Sequence, residues 1–323
     1  MTRFQILLLV VLLALPISAQ TGFTRGDVLA TGSVDSIDSQ GDAFFISNIR
    51  IYGRNGVLKR ELISLVNQWL GEAFYRGGIV HSASSAPDYK IARIDAAGNR
   101  LNPFPTFVIN VTFLSPGPAG GLLATNSSGE IYQLAADGTL VRKRDFTQHP
   151  LADGGIELSS DGCTVFYGAS GSLARWDACL NTEAAFFGPH LAAGSRALRL
   201  LPDGTFLMTV FGLLPDRQNR VIHVDGDGNL IRSYPIPGYA LALDIDGTSF
   251  WTSVGNTLVH ADIASGAILS LTHTGFVIEG LSVVGEPRAG IAAPAGVSIP
   301  TVSPVMLIGL AVVLSALATI RLR

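Results

Sequence analysis

Residues 240–271 read ALALDIDGTSFWTSVGNTLVHADIASGAILSL. Three short apolar runs, Ala240 to Asp244, Phe250 to Val254 and Thr257 to Asp262, are separated by Asp246-Gly247 and Gly255-Asn256, and a fourth, Ala267 to Leu271, follows Gly266. Runs of this length, rich in β-branched and aromatic residues and split by Gly, Asn and Asp, read as strands of an antiparallel meander. Asp-Gly suits a tight hairpin because glycine adopts positive φ without a Cβ clash. The stretch therefore predicts one unit of four strands, inner to outermost.

The unit recurs along the chain. Its third strand and following turn are found at Ile49 to Gly53 with Asn55-Gly56, Ile91 to Asp95 with Gly98-Asn99, and Ile131 to Leu134 with Asp137-Gly138. They return at Leu173 to Asp177 with Asn181-Thr182, Val221 to Asp225 with Gly228-Asn229, and Leu258 to Asp262 with Gly266. Turn positions 56, 98, 138, 181, 228 and 266 are spaced by 42, 40, 43, 47 and 38 residues. A period near 40 built of short strands predicts an all-β fold, a six-bladed β-propeller. A two-sheet sandwich is the competing arrangement, since evenly spaced strands suit it too. Gly26 to Gly32 already reads as a second strand, so the first unit lacks an inner strand. Ile278 to Val284, left over after the sixth unit, is expected to supply it and so remove an exposed edge.

Composition agrees and excludes other classes. Of 323 residues, 48% are apolar and 15% are Asp, Glu, Lys or Arg, which rules out a disordered chain. The net charge of −3 and the lack of a basic run argue against a nucleic-acid partner. Arg142-Lys143-Arg144 is too short for one and reads as a solvated outer strand. Thirty-six glycines and sixteen prolines, without a collagen period, supply the many turns that short strands need.

The ends carry a different message. Arg3, the greasy run Ile6 to Leu15 and the small residues Ser18-Ala19 before Gln20 form an export leader, residues 1–19, cut by signal peptidase. The body follows as residues 20–286, then an Ala/Gly/Pro-rich linker, residues 287–298. Val305 to Ile320 is uncharged and precedes Arg321-Leu322-Arg323; as a helix it spans about 24 Å, enough to cross or nearly cross a bilayer core. The terminal arginines are expected to stay cytoplasmic, with the body outside the inner membrane.

Just before that helix stand Ile299, Pro300, Thr301, Val302 and Ser303. With the helix and arginine-bearing end, residues 299–323 resemble the IPTL-type C-terminal sorting signals of Gram-negative bacteria, relatives of the PEP type; Val302 stands where leucine is usual. The resemblance implies recognition by an exosortase-like membrane enzyme, removal of the tail, and delivery to the cell surface or exterior. The repeat rhythm and the Pro202-Asp203-Gly204 turn resemble the propellers of the lactonase, streptogramin-lyase and NHL-repeat group. In lactonase-like members a Glu, an Asn and an Asp near the inner strands hold a divalent metal. Glu279 is the nearest match to that glutamate, and the asparagine has no counterpart, so no metal and no cofactor are expected.

The remaining chemistry is sparse. Cys163 and Cys179 are the only cysteines, and export places them in an oxidising compartment. They flank a hairpin, Thr164 to Ala169 and Ser172 to Ala178; reflection about Gly171 sets them opposite each other, within disulfide reach. The six histidines show no metal-ligand spacing, and there is neither a nucleophile elbow nor a phosphate loop. Trp176 and Trp251 fall at strand positions and read as packing between blades. Glu157, Asp244 and Glu279 fall on or beside inner strands and are the candidate channel carboxylates. Two functions follow: a non-catalytic module binding an envelope or extracellular ligand, which the lack of catalytic motifs favours, or a hydrolase or lyase whose converging carboxylates stand at the channel mouth.

Overall fold

A computed structural model describes residues 22–287, apart from residues 38–42, 67–69, 77–78, 85–90, 107–110, 127, 146–154, 170–171, 183–184, 190–193, 214 and 216–217. The leader, the sorting motif Ile299–Ser303, nearly all of the linker and the apolar segment 305–320 lie outside the described residues. Among the described residues no helix is long and apolar enough to cross a membrane.

The described strands form six four-stranded antiparallel sheets. The first joins β1 (Val28–Ile37), β2 (Ala43–Tyr52) and β3 (Leu58–Val66) to the last described strand, β24 (Val277–Val283). The second holds β4 (Leu70–Arg76), β5 (Ile79–Ser84), β6 (Ile91–Asp95) and β7 (Arg100–Leu101), and the third β8 (Val111–Pro116), β9 (Leu122–Asn126), β10 (Glu130–Leu134) and β11 (Leu140–Asp145). The fourth is β12 (Ile156–Leu158), β13 (Thr164–Ala169), β14 (Ser172–Asp177) and β15 (Ala185–Phe187). Then come β16 (Gly194–Leu200), β17 (Phe206–Leu213), β18 (Gln218–Val224) and β19 (Leu230–Tyr234), and finally β20 (Leu241–Leu243), β21 (Ser249–Val254), β22 (Thr257–Asp262) and β23 (Ile268–His273). Five sheets have described side chains on their inner strands; in β4–β7 the two inner strands are described by backbone pairing alone.

These sheets stand around an axis as a β-propeller, and the sandwich alternative falls. Inner strands β24, β4, β8, β12, β16 and β20 follow one another, and β20 meets β24 again. Apolar cores fill the spaces between consecutive sheets. Leu29, Ile49, Leu62 and Ile94 join the first to the second, Ile91, Phe104, Leu114 and Leu122 the second to the third, and Ala242, Trp251, Ile278 and Leu281 the last to the first. Trp176 and Trp251 are fully buried. β11, by contrast, is largely exposed, as its Arg142-Lys143-Arg144 run requires.

The turns used to measure the repeat explain why it was visible. All six positions take positive φ, between 57° at Asn181 and 91° at Gly98, a region that glycine enters freely and asparagine tolerates. At four of them the aspartate at the end of the third strand caps the turn: Asp95 accepts from the amides of Ala97 and Asn99 at 2.9 and 2.8 Å, Asp225 from those of Asp227 and Asn229 at the same distances, Asp177 from those of Cys179 and Leu180 at 2.9 and 2.8 Å, and Asp262 from that of Ser265 at 2.6 Å. Closure is as expected: β24 pairs with β1 from Val28↔Val283 to Ser33↔Val277.

The cysteines are joined, with Cα atoms 5.2 Å apart, but the hairpin register needs correction. Ala169 pairs with Ser172 and Thr164 with Asp177, so the fold axis lies between residues 170 and 171, and Cys163 stands opposite Ala178, whose amide bonds its carbonyl at 2.8 Å. A two-residue connection reflects about a bond, not about Gly171. Cys179 therefore reaches Cys163 from the turn beyond β14, held there by the hydrogen bond that its amide donates to Asp177 Oδ1 at 2.9 Å. The bridge closes a sequence separation of 16 residues, worth about 3 kcal/mol in the chain-entropy model. Urea melts of Cys163→Ser/Cys179→Ser should show a loss of that order relative to the oxidised protein; equal midpoints would deny the bridge a stabilising role.

Candidate functional site

The axis is built in two tiers. In the lower tier Arg199 of β16 is 2% exposed and Glu157 of β12 is 3% exposed, with Nη1 and Oε1 3.3 Å apart. The Arg199 Nε donates to Glu286 Oε1 at 3.0 Å, Nη1 to the Leu198 carbonyl at 2.8 Å, and Nη2 to the Leu281 carbonyl at 3.3 Å. Glu286 also accepts from the Leu243 amide at 2.6 Å. One guanidinium thus ties together residues of β12, β16 and β24, with Glu286 bridging on to β20. Its planar fork of five donors suits that task. Two carboxylates flanking one shared guanidinium in a dry site form an ion-paired plug, with both acids engaged by Arg199 rather than facing each other as an acid–base pair.

Glu286 was not among the expected site residues. It was read as the last residue before a linker, because the Ala/Gly/Pro composition that follows hides it. The one local signal was an acidic residue directly after the closing strand.

The upper tier lies three residues back along β16, about 10 Å at strand rise. Arg196 sets its guanidinium 3.2 Å from the centroid of the Tyr239 ring, and the Phe211 ring lies 6.4 Å from Tyr239. Glu279 of β24 is half-buried. Burial pushes its carboxyl up to about 7, although the Arg196 charge pulls the other way. β20 stands between β16 and β24 in the ring, so both side chains must reach toward the axis to interact.

Asp244 belongs to neither tier. Just beyond β20, fully buried, it accepts from Arg54 Nε at 2.8 Å and from the Ile245 amide at 2.6 Å, and lies 2.9 Å from His260 Nε2. Burial raises its pKa, but the His260 and Arg54 hydrogen bonds outweigh that and hold the carboxyl below its usual range. Ser249 Oγ is 2.9 Å from the same His260 nitrogen. Aspartate and serine sharing one imidazole nitrogen cannot divide the roles of a nucleophilic triad, which uses both nitrogens. The His260 ring also stacks on Trp251, centroids 4.1 Å apart, so this cluster locks the last sheet.

The three candidate carboxylates therefore do not converge. Glu157 is taken by Arg199, Asp244 by Arg54 and His260, and Glu279 feels Arg196. Convergence was expected because inner strands share an axis; the different depths along that axis, set by strand position, keep them apart. Among the described residues, Cys163, Asp177 and Cys179 gather ligand-type atoms within 4.8 Å, yet the two sulfurs are bonded to each other and offer no thiolate to a metal.

No protein-family model and no curated protein matches this chain. Among solved structures it is similar to the WD40 β-propeller domain of Doa1. The match has 16% identity and a TM-score of 0.53, covering 79% of this chain and 89% of that one. That likeness concerns the fold alone.

Proposed function

We propose that this chain is an exported propeller that binds a component of the bacterial cell envelope or its surroundings, brought there by the leader and the IPTL-type tail. Beside five blades, we read β4–β7 as a sixth, its inner strand lying between β24 and β8. The observation that carries the binding reading is the plugged axis. Arg199 pairs with both Glu157 and Glu286 where a hydrolase would need a free carboxylate pair. The lactonase-like reading keeps one support, the Glu279 carboxyl, which burial pushes up to about 7. The Cys163–Cys179 bond is consistent with export.

Delivery is tested by mass spectrometry of the protein from cell fractions. The expected mature chain begins at Gln20, ends within Ile299 to Ser303 and is found at the surface or in the medium. A chain ending at Arg323 in the inner membrane would replace sorting by permanent anchoring. A chain still beginning at Met1 in the cytosol would overturn export.

A further inference from the structure

Irregularities gather at one end of the inner strands. On β8, Thr112 is the extra residue between the pairs Val111↔Asn126 and Phe113↔Thr125. On β16, Arg196 is extra between Ser195↔Val210 and Ala197↔Thr209. On β24, Glu279 is extra between Ile278↔Gly32 and Gly280↔Thr31. β4 slips as well, between Leu70 and Ala73, the stretch that holds Glu72. A bulge takes a residue out of the ladder and re-aims its side chain, and bulges are enriched beside functional sites. Ring closure does not demand them, since β12 and β20 pair without one.

The same end carries the aromatic pair. Phe211 pairs with Gly194 at the start of β16, and Tyr239 is fixed just before β20 by its amide to Ser253 O at 2.9 Å and its carbonyl to Thr209 Oγ1 at 3.0 Å. The neighbouring Gly238 admits no side chain, because a Cβ would stand 2.4 Å from Thr252 Oγ1. The backbone is thus shaped to present Tyr239.

We propose that this end of the channel binds a carboxylate, from a small organic acid or from the acidic residues of a glycan, held by the Arg196 guanidinium with the Glu279 carboxyl donating a second hydrogen bond. The site rests on the reading of the chain as a binding module. A ligand ammonium would meet Arg196, and a neutral sugar would find one face of Tyr239 already covered by it. An anion meets the Arg196 guanidinium and the Glu279 carboxyl, whose protonated form burial favours up to about pH 7. The described charge that Glu279 feels is Arg196. Of the strands packed on β24, β20 and β21 carry no ionisable side chain, β22 carries His260, engaged with Asp244, and Asp262 at its far end, the sequence of β1 includes Asp35, and that of β4 includes Glu72, Tyr75 and Arg76.

Calorimetric titration of the intact protein with citrate, oligogalacturonate and neutral dextran, at pH 5.5 and 8.0, tests the site. At least one acid should bind and dextran should not, and affinity should fall about tenfold at the higher pH as the competent, protonated fraction shrinks. Glu279→Gln, whose amide donates at both pH values, should lose that pH dependence. Arg196→Gln should lose binding at both while retaining the wild-type melting temperature; if it fails to fold, Arg196→Lys should fold and bind more weakly. Binding of oligogalacturonate alone identifies a glycan, and binding of citrate a small acid. No acid bound at pH 5.5, dextran bound equally well, or binding indifferent to Arg196 overturns the site. An exported protein that binds neither acid loses this inference and keeps the proposed function, whereas a cytosolic protein loses the function whatever the titration shows.

Discussion

A chain ending at Gly275 is expected to lose cooperative unfolding altogether. The segment removed supplies the inner strand of the first sheet, so β1 would present an unpaired edge from Val28 to Ser33. It also removes Phe276, Ile278, Leu281, Val283 and Val284, all at most 6% exposed. At roughly 1.5–3 kcal/mol per buried apolar side chain, the loss is on the order of 10 kcal/mol. That equals the whole stability of a typical domain, about 5–15 kcal/mol. Glu286 goes too, leaving Arg199 one carboxylate short. Calorimetry should show no unfolding endotherm for this chain, while one ending at Pro287 melts like the full protein. An unchanged midpoint and enthalpy after truncation at Gly275 would mean that β24 does not close the ring.

That result would test a feature legible in the sequence for a local reason. Each third strand ends in a turn whose geometry demands glycine or asparagine at a positive-φ position, from Gly56 to Gly266. Six such demands at an even period are visible without any long-range contact. The leftover strand Ile278 to Val284 was legible by subtraction, because a first unit beginning one strand late must borrow from the end. The upper tier was half legible: Glu279 stood out as an inner-strand acid, whereas Arg196 gained its place from a bulge, and bulges depend on pairing between strands rather than on local sequence. The carboxylates failed as a group because shared strand position says nothing about depth along the axis. The hairpin register failed by a single residue, since counting cannot distinguish reflection about Gly171 from reflection about the bond before it.

The lower tier was the least legible part and gives the sharpest test. Arg199 sits in Leu198-Arg199-Leu200, an apolar strand in which an arginine suggests no partner, and its two carboxylates lie 42 residues before and 87 residues after it. All three side chains are at most 3% exposed. Taking two anions out of water is costly, and the guanidinium between them compensates by charge and by its hydrogen bonds to two carbonyls. Arg199→Met keeps most of the volume and removes the compensation, so it should cost about 3–5 kcal/mol in urea melts at pH 7.5. At pH 7.5 a triple change adding Glu157→Gln and Glu286→Gln should recover part of the loss, because neutral amides leave no uncompensated charge. An Arg199→Met variant within about 1 kcal/mol of wild type would mean that water reaches the tier and that the axis is open, which would return Glu157 to the candidates for chemistry.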